Sequence, residues 1–112
     1  MGNFVELKNA AVGADTRLSH LSYVGDAALG ERCNVGCGAV TVNYDRVTKQ
    51  RTTVGDDAFI GCNSSLVAPV TLGDGAYIAA GSVITEDVPA QALGIARSRQ
   101  SNKRDWAAKH KK

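Results

Sequence analysis

The sequence predicts an all-β fold, a three-sided prism of short parallel strands wound as a solenoid, and three observations predict it. First, Val54, Ile60, Leu66, Leu72, Ile78 and Ile84 stand six residues apart without a break. Val, Leu and Ile are 23 of 112 residues, so six such hits in a row arise by chance about once in ten thousand. Second, the neighbours repeat. Four places after each aliphatic come Ala58, Ser64, Val70, Ala76, Ser82 and Val88, nearly all small, and Gly55, Gly61 and Gly73 directly follow three of them. Third, aromatics are only 5% of a chain that is 44% hydrophobic, so the core is built from small and branched aliphatics.

A period of six matches neither a helix nor an alternating strand. It matches one flat side of a triangular coil, in which each hexapeptide supplies a short strand and a corner. The aliphatic points inward, the small residue four later fits the crowded interior, and the residue after the aliphatic helps make the turn. Three hexapeptides close one coil, and coils stack at roughly the 4.8 Å spacing of paired strands. The same pattern runs earlier at Val12, Leu18 and Val24, then slips one residue to Leu29 and Val35. Between Val35 and Val54 the stretch Val42–Arg51 is polar and unrepetitive, which predicts a loop extruded from one corner over about residues 42–53. The period stops after Val88-Pro89, leaving a short exit segment over 90–97. The prism is expected to occupy residues 1–96 and a tail residues 97–112, where 101–112 reads as either a helical turn around Trp106 or an unstructured end.

Charge divides the chain in the same place. Residues 1–96 hold six basic and ten acidic side chains, a net −4, whereas 97–112 hold seven basic and one acidic, a net +6. A basic tail on an acidic body suits a phosphorylated small molecule, an anionic surface or plain solvation. Nucleic acid is disfavoured, because the positive charge is confined to the tail and no aromatics line a sheet. No apolar run reaches the roughly 18 residues of a membrane span and no secretory pattern is visible, so no membrane partner and a cytoplasmic location are expected. Cys33, Cys37 and Cys62 are an odd number, form no C-x-x-C pair and lie far in sequence from the two His. They read as reduced, packed side chains, with neither a disulfide framework nor a metal site.

The polar residues that interrupt the repeat carry the chemistry. Lys8, His20, Tyr23, Asn34, Asn43 and Tyr44 provide one potential base and several hydrogen-bonding groups on neighbouring coils. His20 occupies the second place after Leu18, a corner position that exposes it. Asn34 and Asn43 read equally as turn residues. Open ends leave unpaired strand edges. At the N-terminal end either Phe4-Val5 folds over the end or something upstream is missing, and that open coil is a place for another chain to stack.

The segments Gly2–Lys8, Ser19–Ala27, Asn34–Gly36, Val42–Asp45 and Val67–Val70 resemble, in order and spacing, the acetyltransferase half of a bacterial bifunctional family. That family joins N-acetylglucosamine-1-phosphate uridyltransferase to glucosamine-1-phosphate N-acetyltransferase. The resemblance implies a left-handed parallel β-helix of the hexapeptide-repeat type, a homotrimer with sites at subunit boundaries, and acetyl-CoA as co-substrate. It makes His20 the general base, work that an imidazole titrating near neutrality suits. Glu6 matches a carboxylate beside that base. Lys8, Tyr23, Asn34 and Asn43 match sugar-phosphate contacts, with Tyr44 adjoining them. Cys37 matches a position whose backbone N–H polarises the thioester oxygen, and Cys62 and Ala80 match further cofactor contacts. Arg97 matches an arginine that reaches a coenzyme A phosphate, and Trp106 a tail aromatic over the cofactor. The family carries Ala where this chain has Cys37 and Ser where it has Cys62.

By the same resemblance the chain begins part-way along the family's prism, without the uridyltransferase domain, so uridyl transfer and its magnesium are not expected. The acceptor expected is glucosamine-1-phosphate or a related amino sugar, on the route to peptidoglycan precursors. A different class of function stays open: a catalytically idle trimeric β-helix that binds CoA or a partner, or that completes a split enzyme.

Overall fold

The computed structural model describes residues 5–42 and 51–109. Its strands are β1 (Glu6–Val12), β2 (Arg17–Leu18), β3 (Tyr23–Leu29), β4 (Asn34–Val35), β5 (Val40–Val42) and β6 (Thr52–Val54). They continue with β7 (Phe59–Ile60), β8 (Ser65–Val67), β9 (Val70–Leu72), β10 (Tyr77–Ile78), β11 (Val83–Ile84) and β12 (Leu93–Gly94), followed by one helical turn, α1 (Trp106–Lys109).

All pairings among these strands are parallel, and their register sorts them onto three faces. The first face stacks Leu7, Val24, Thr41, Leu66 and Ile84 in successive coils. The second stacks Val12, Leu29, Val54, Leu72 and Val88. The third stacks Leu18, Val35, Ile60, Ile78 and Gly94. Strands β1 and β3 run through the corner between the first two faces, bent at Asn9 (φ 51°) and Asp26 (φ 46°).

The inward aliphatics expected from the period form the core: Leu18, Val24, Leu29, Val35, Val54, Ile60, Leu66, Leu72, Ile78 and Ile84 are all at most 5% exposed. Stacking of such side chains is the main stabilising contribution, at about 1.5–3 kcal/mol for each one fully buried. Val12 keeps its register but is 37% exposed, because it belongs to the first coil. Val5 packs against the core beneath it, while Phe4 lies outside the described residues. Among the described residues one coil carries a polar residue at the aliphatic position of the repeat. Thr41 is buried, and its Oγ1 accepts from Gly25 N (2.8 Å) and donates to Gly25 O (3.1 Å), which satisfies the hydroxyl.

Three sequence expectations are corrected. The turn residues lie three places after the aliphatic, not one: Asp15, Leu21, Arg32, Gly38, Asp57, Asn63, Gly75, Gly81 and Gln91 all have φ between 57° and 73°. Glycine directly after the aliphatic answers to close approach of the next coil. A Cβ on Gly61 would lie 2.5 Å from Ala80 N, and one on Gly36 2.6 Å from Cys62 N. Next, coiling continues past Val88, since β12 pairs with β10 as Tyr77↔Leu93 and Ile78↔Gly94. Finally, Val42, Thr52 and Thr53, assigned from sequence to the loop, belong to strands β5 and β6. Residues 43–50 of that loop fall outside the described residues.

Candidate active site

The corner between the third face and the first collects five of the residues singled out by sequence. His20, Cys37, Cys62 and Ala80 each immediately precede the left-handed residue of their coil: Leu21, Gly38, Asn63 and Gly81. The stacking is read directly from backbone bonds. Gly38 N donates to His20 O (3.3 Å), Asn63 N to Cys37 O (2.9 Å) and Gly81 N to Cys62 O (2.9 Å). Arg97 extends the column, with Nη1 donating to Ala80 O at 2.7 Å. Four coils thus place their second-after-aliphatic residue on one line.

The amide groups of this line are available. Among the described residues the backbone N–H groups of His20, Cys37, Cys62 and Ala80 have no acceptor in the hydrogen-bond network. The same holds for the His20 imidazole, which is exposed at the surface. Cys37 is half-buried and Cys62 exposed. Their Sγ atoms lie 3.4 Å apart, and the hydrogen bond to Cys62 pushes the Cys37 thiol above its ordinary range. At the lower end of the column an open hollow of about 500 Å3 is lined by Gly81, Val83, Ala96, Arg97 and Ser98. Sequence reading missed Gly81, Val83, Ala96 and Ser98. Counting one coil onward from Cys62 to Ala80, and then one and three residues along, would have found the first two. A second hollow, of about 270 Å3 and lined by Ile84–Pro89 and Ala92–Ala96, is the open end of the last coil.

The expected sugar-phosphate contacts are distributed. Glu6 and Tyr23 are Cα partners on the first face, and Lys8 pairs with Gly25 two residues along. Tyr23 follows His20 by three residues, so these groups border the column. No hydrogen bond or ion pair links Glu6 to His20 among the described residues. Asn34 lies on the third face, opposite Arg17 and Phe59, and a single chain does not bring it to Tyr23. Asn43 and Tyr44 lie outside the described residues. Trp106 sits in α1, which buries no residue. Cys33 is buried apart from the column, its thiol donating to Gly55 O at 3.0 Å. Among the described residues no three His, Cys, Asp or Glu side chains gather as metal ligands. Nor, among the described residues, is any helix long and apolar enough to cross a membrane.

Repeat, coil geometry and exposed corner define the class: a hexapeptide-repeat left-handed parallel β-helix. The family model "Bacterial transferase hexapeptide (six repeats)" matches residues 51–86. The structure is similar to a hexapeptide-repeat-containing acetyltransferase of Vibrio cholerae, with a TM-score of 0.73 at 20% identity over 92% of this chain and 73% of that one. It is also similar to the H141A mutant of GDP-perosamine N-acetyltransferase from Caulobacter crescentus, solved with CoA and GDP-perosamine, with a TM-score of 0.55 at 23% identity over 85% of this chain and 50% of that one. In sequence the chain matches the C-terminal part of bifunctional GlmU proteins. It is 62% identical to the bifunctional protein GlmU of Oceanobacillus iheyensis over 109 residues, which are 97% of this chain and 24% of that protein. The chain thus spans about a quarter of the length of the curated relatives it matches.

Proposed function

We propose that this chain carries out acetyl transfer from acetyl-CoA to the amine of glucosamine-1-phosphate or a related amino sugar, with His20 as general base. The observation that carries the reading is the column of His20, Cys37, Cys62, Ala80 and Arg97 on one corner, with amide donors that no acceptor among the described residues uses. The identity to the C-terminal part of GlmU supports the acceptor class, and the CoA complex of the similar perosamine enzyme supports the donor.

His20 takes a proton from the sugar amine as its nitrogen attacks the thioester carbon. The carbonyl oxygen gains negative charge in that step, and the Cys37 N–H donates to it. The sulfur of coenzyme A leaves as the carbonyl reforms and takes up a proton. Cys62 and Ala80 continue the strip along which the cofactor lies, and Arg97 holds a phosphate at its lower end. Trp106 covers the cofactor from the tail. Lys8 pairs with the sugar phosphate, Tyr23, Asn34, Asn43 and Tyr44 bond its oxygens, and Glu6, the Cα partner of Tyr23 on the neighbouring coil, is the carboxylate near the base.

The division of Tyr23 and Asn34 between two faces supports a homotrimer in which a seam between protomers completes the sugar site. Exposed Leu7, Leu21, Val83, Leu93 and Ile95 supply apolar surface for such seams. A cytoplasmic location fits these substrates. The test follows free thiol released from acetyl-CoA with glucosamine-1-phosphate as acceptor. The wild type turns over, and His20→Ala loses about a hundredfold, the usual size of a general-base effect. Equal rates in the two proteins contradict the base assignment.

A further inference from the structure

We propose that Cys37 and Cys62 form a reversible disulfide by exchange with low-molecular-weight disulfides, and that this bond switches the corner off. The second half of the proposal rests on the acetyl-transfer reading; the first half does not.

The geometry is already close to a bonded pair. Val35 and Ile60 are Cα partners on adjacent coils, so Cys37 and Cys62, each two residues onward, face one another across a spacing of roughly 4.8 Å. Disulfides take Cα separations of about 4.4–6.8 Å. The Asn63 N to Cys37 O bond of 2.9 Å holds that register through the corner. From a separation of 3.4 Å the sulfurs need only side-chain rotation to reach the roughly 2.05 Å of a bond. Both are reachable from solvent, Cys62 more so, whereas Cys33 is 1% exposed and turned to Gly55 O.

The exchange balances. The Cys62 thiolate attacks one sulfur of R–S–S–R, the S–S bond breaks, and R–S⁻ leaves and takes up the proton that Cys62 gave to solvent. Cys37 then loses its proton, its sulfur attacks the Cys62 sulfur of the mixed disulfide, and the second RSH leaves. Two cysteines are oxidised and one small disulfide is reduced to two thiols. Attack begins at Cys62 because it is the exposed partner and because Cys37, as hydrogen-bond donor to it, stays protonated longer. Bonding pulls the two coils' side chains together at the place where the thioester is read, so CoA and its acetyl group lose their seat.

The experiment treats the full chain with oxidised glutathione, then measures intact mass and maps peptides, before and after dithiothreitol. The expected product is lighter than the reduced protein by two hydrogen atoms, carries a Cys37–Cys62 linked peptide, leaves Cys33 free, and reverts on reduction. Cys37→Ala and Cys62→Ser, read by mass alone, give no such product; Cys37→Ala takes up one glutathione at Cys62 instead. Glutathione adducts on wild-type Cys62 without a linked peptide overturn the proposal. In parallel, acetyl transfer falls at least tenfold in the linked protein and returns with dithiothreitol. A linked protein with undiminished transfer overturns the switch. Reduced protein without any transfer overturns the acetyl-transfer reading instead, and the mass result still decides the disulfide.

Discussion

Two corners of the prism are built from the same turn and are finished differently. Both place a left-handed residue three after each aliphatic: Asp15, Arg32, Asp57, Gly75 and Gln91 at one corner, and Leu21, Gly38, Asn63 and Gly81 at the other. At the first, two of the amides that precede a turn residue are capped by a carboxylate of the next coil. Glu31 N donates to Asp56 Oδ1 and Asp56 N to Asp74 Oδ1, both at 2.8 Å. Arg32 and Asp57 add a two-pronged ion pair, with Nε–Oδ1 at 2.8 Å and Nη2–Oδ2 at 3.1 Å. At the other corner the equivalent positions are His20, Cys37, Cys62 and Ala80, none of which is a carboxylate, and their amides stay uncapped among the described residues. One corner spends its side chains on holding coils together. The other leaves its donors for something else, and that difference points to the functional edge more directly than any single residue does.

The comparison can be broken first at the backbone that both corners share. Gly61→Ala puts a Cβ 2.5 Å from Ala80 N, an atom of the backbone that cannot swing aside. Overpacking of that kind costs about 1–3 kcal/mol, so the urea midpoint falls, and transfer falls with it because the column is displaced. An unchanged midpoint would show that the coils part easily at this corner. A smaller effect sharpens the contrast at the capped corner. Asp56→Ala removes the acceptor of Glu31 N, a bond worth about 1 kcal/mol. The smallest effect is in acid. The hydrogen bond from Arg32 holds the Asp57 carboxyl below its usual range. Its stabilisation is therefore complete above the unfolded carboxylate range near about pH 4 and is lost as the pH falls through the lower folded value. With both side chains half exposed the effect is small. A thermal melting series should show Asp57→Asn slightly less stable than wild type at neutral pH and equal to it in strong acid. A gap that widens in acid contradicts the assignment.

Much of this was legible because a core buried on three sides repeats its demands every six residues. The unbroken run from Val54 to Ile84, and even the one-residue slip at Leu29, map onto buried inward positions. The slip has a cause: β3 runs through its corner as one strand, bent at Asp26. The corners were less legible. Left-handed backbone is taken up by Leu21, Arg32 and Gln91 as well as by glycine, because the stack overrides local preference. Glycine, taken as a turn signal, marks instead the places where the next coil comes too close for a Cβ. The pairing of Cys37 with Cys62 was hidden by the insertion between Val42 and Thr52, which separates stacked residues by 25 positions. The sequence does not show on which face each sugar-contact candidate stands, and the register puts Asn34 and Tyr23 on different faces.

The most direct measurement pairs one substitution from each corner and reads both unfolding and acetyl transfer in each. His20→Ala is expected to lose about a hundredfold in transfer while its unfolding free energy stays within about 0.5 kcal/mol of wild type. Asp56→Ala is expected to lose about 1 kcal/mol of stability while its transfer rate is unchanged. If His20→Ala transfers acetyl as fast as wild type, or if both substitutions damage stability and transfer alike, the corners are not divided between fold and function.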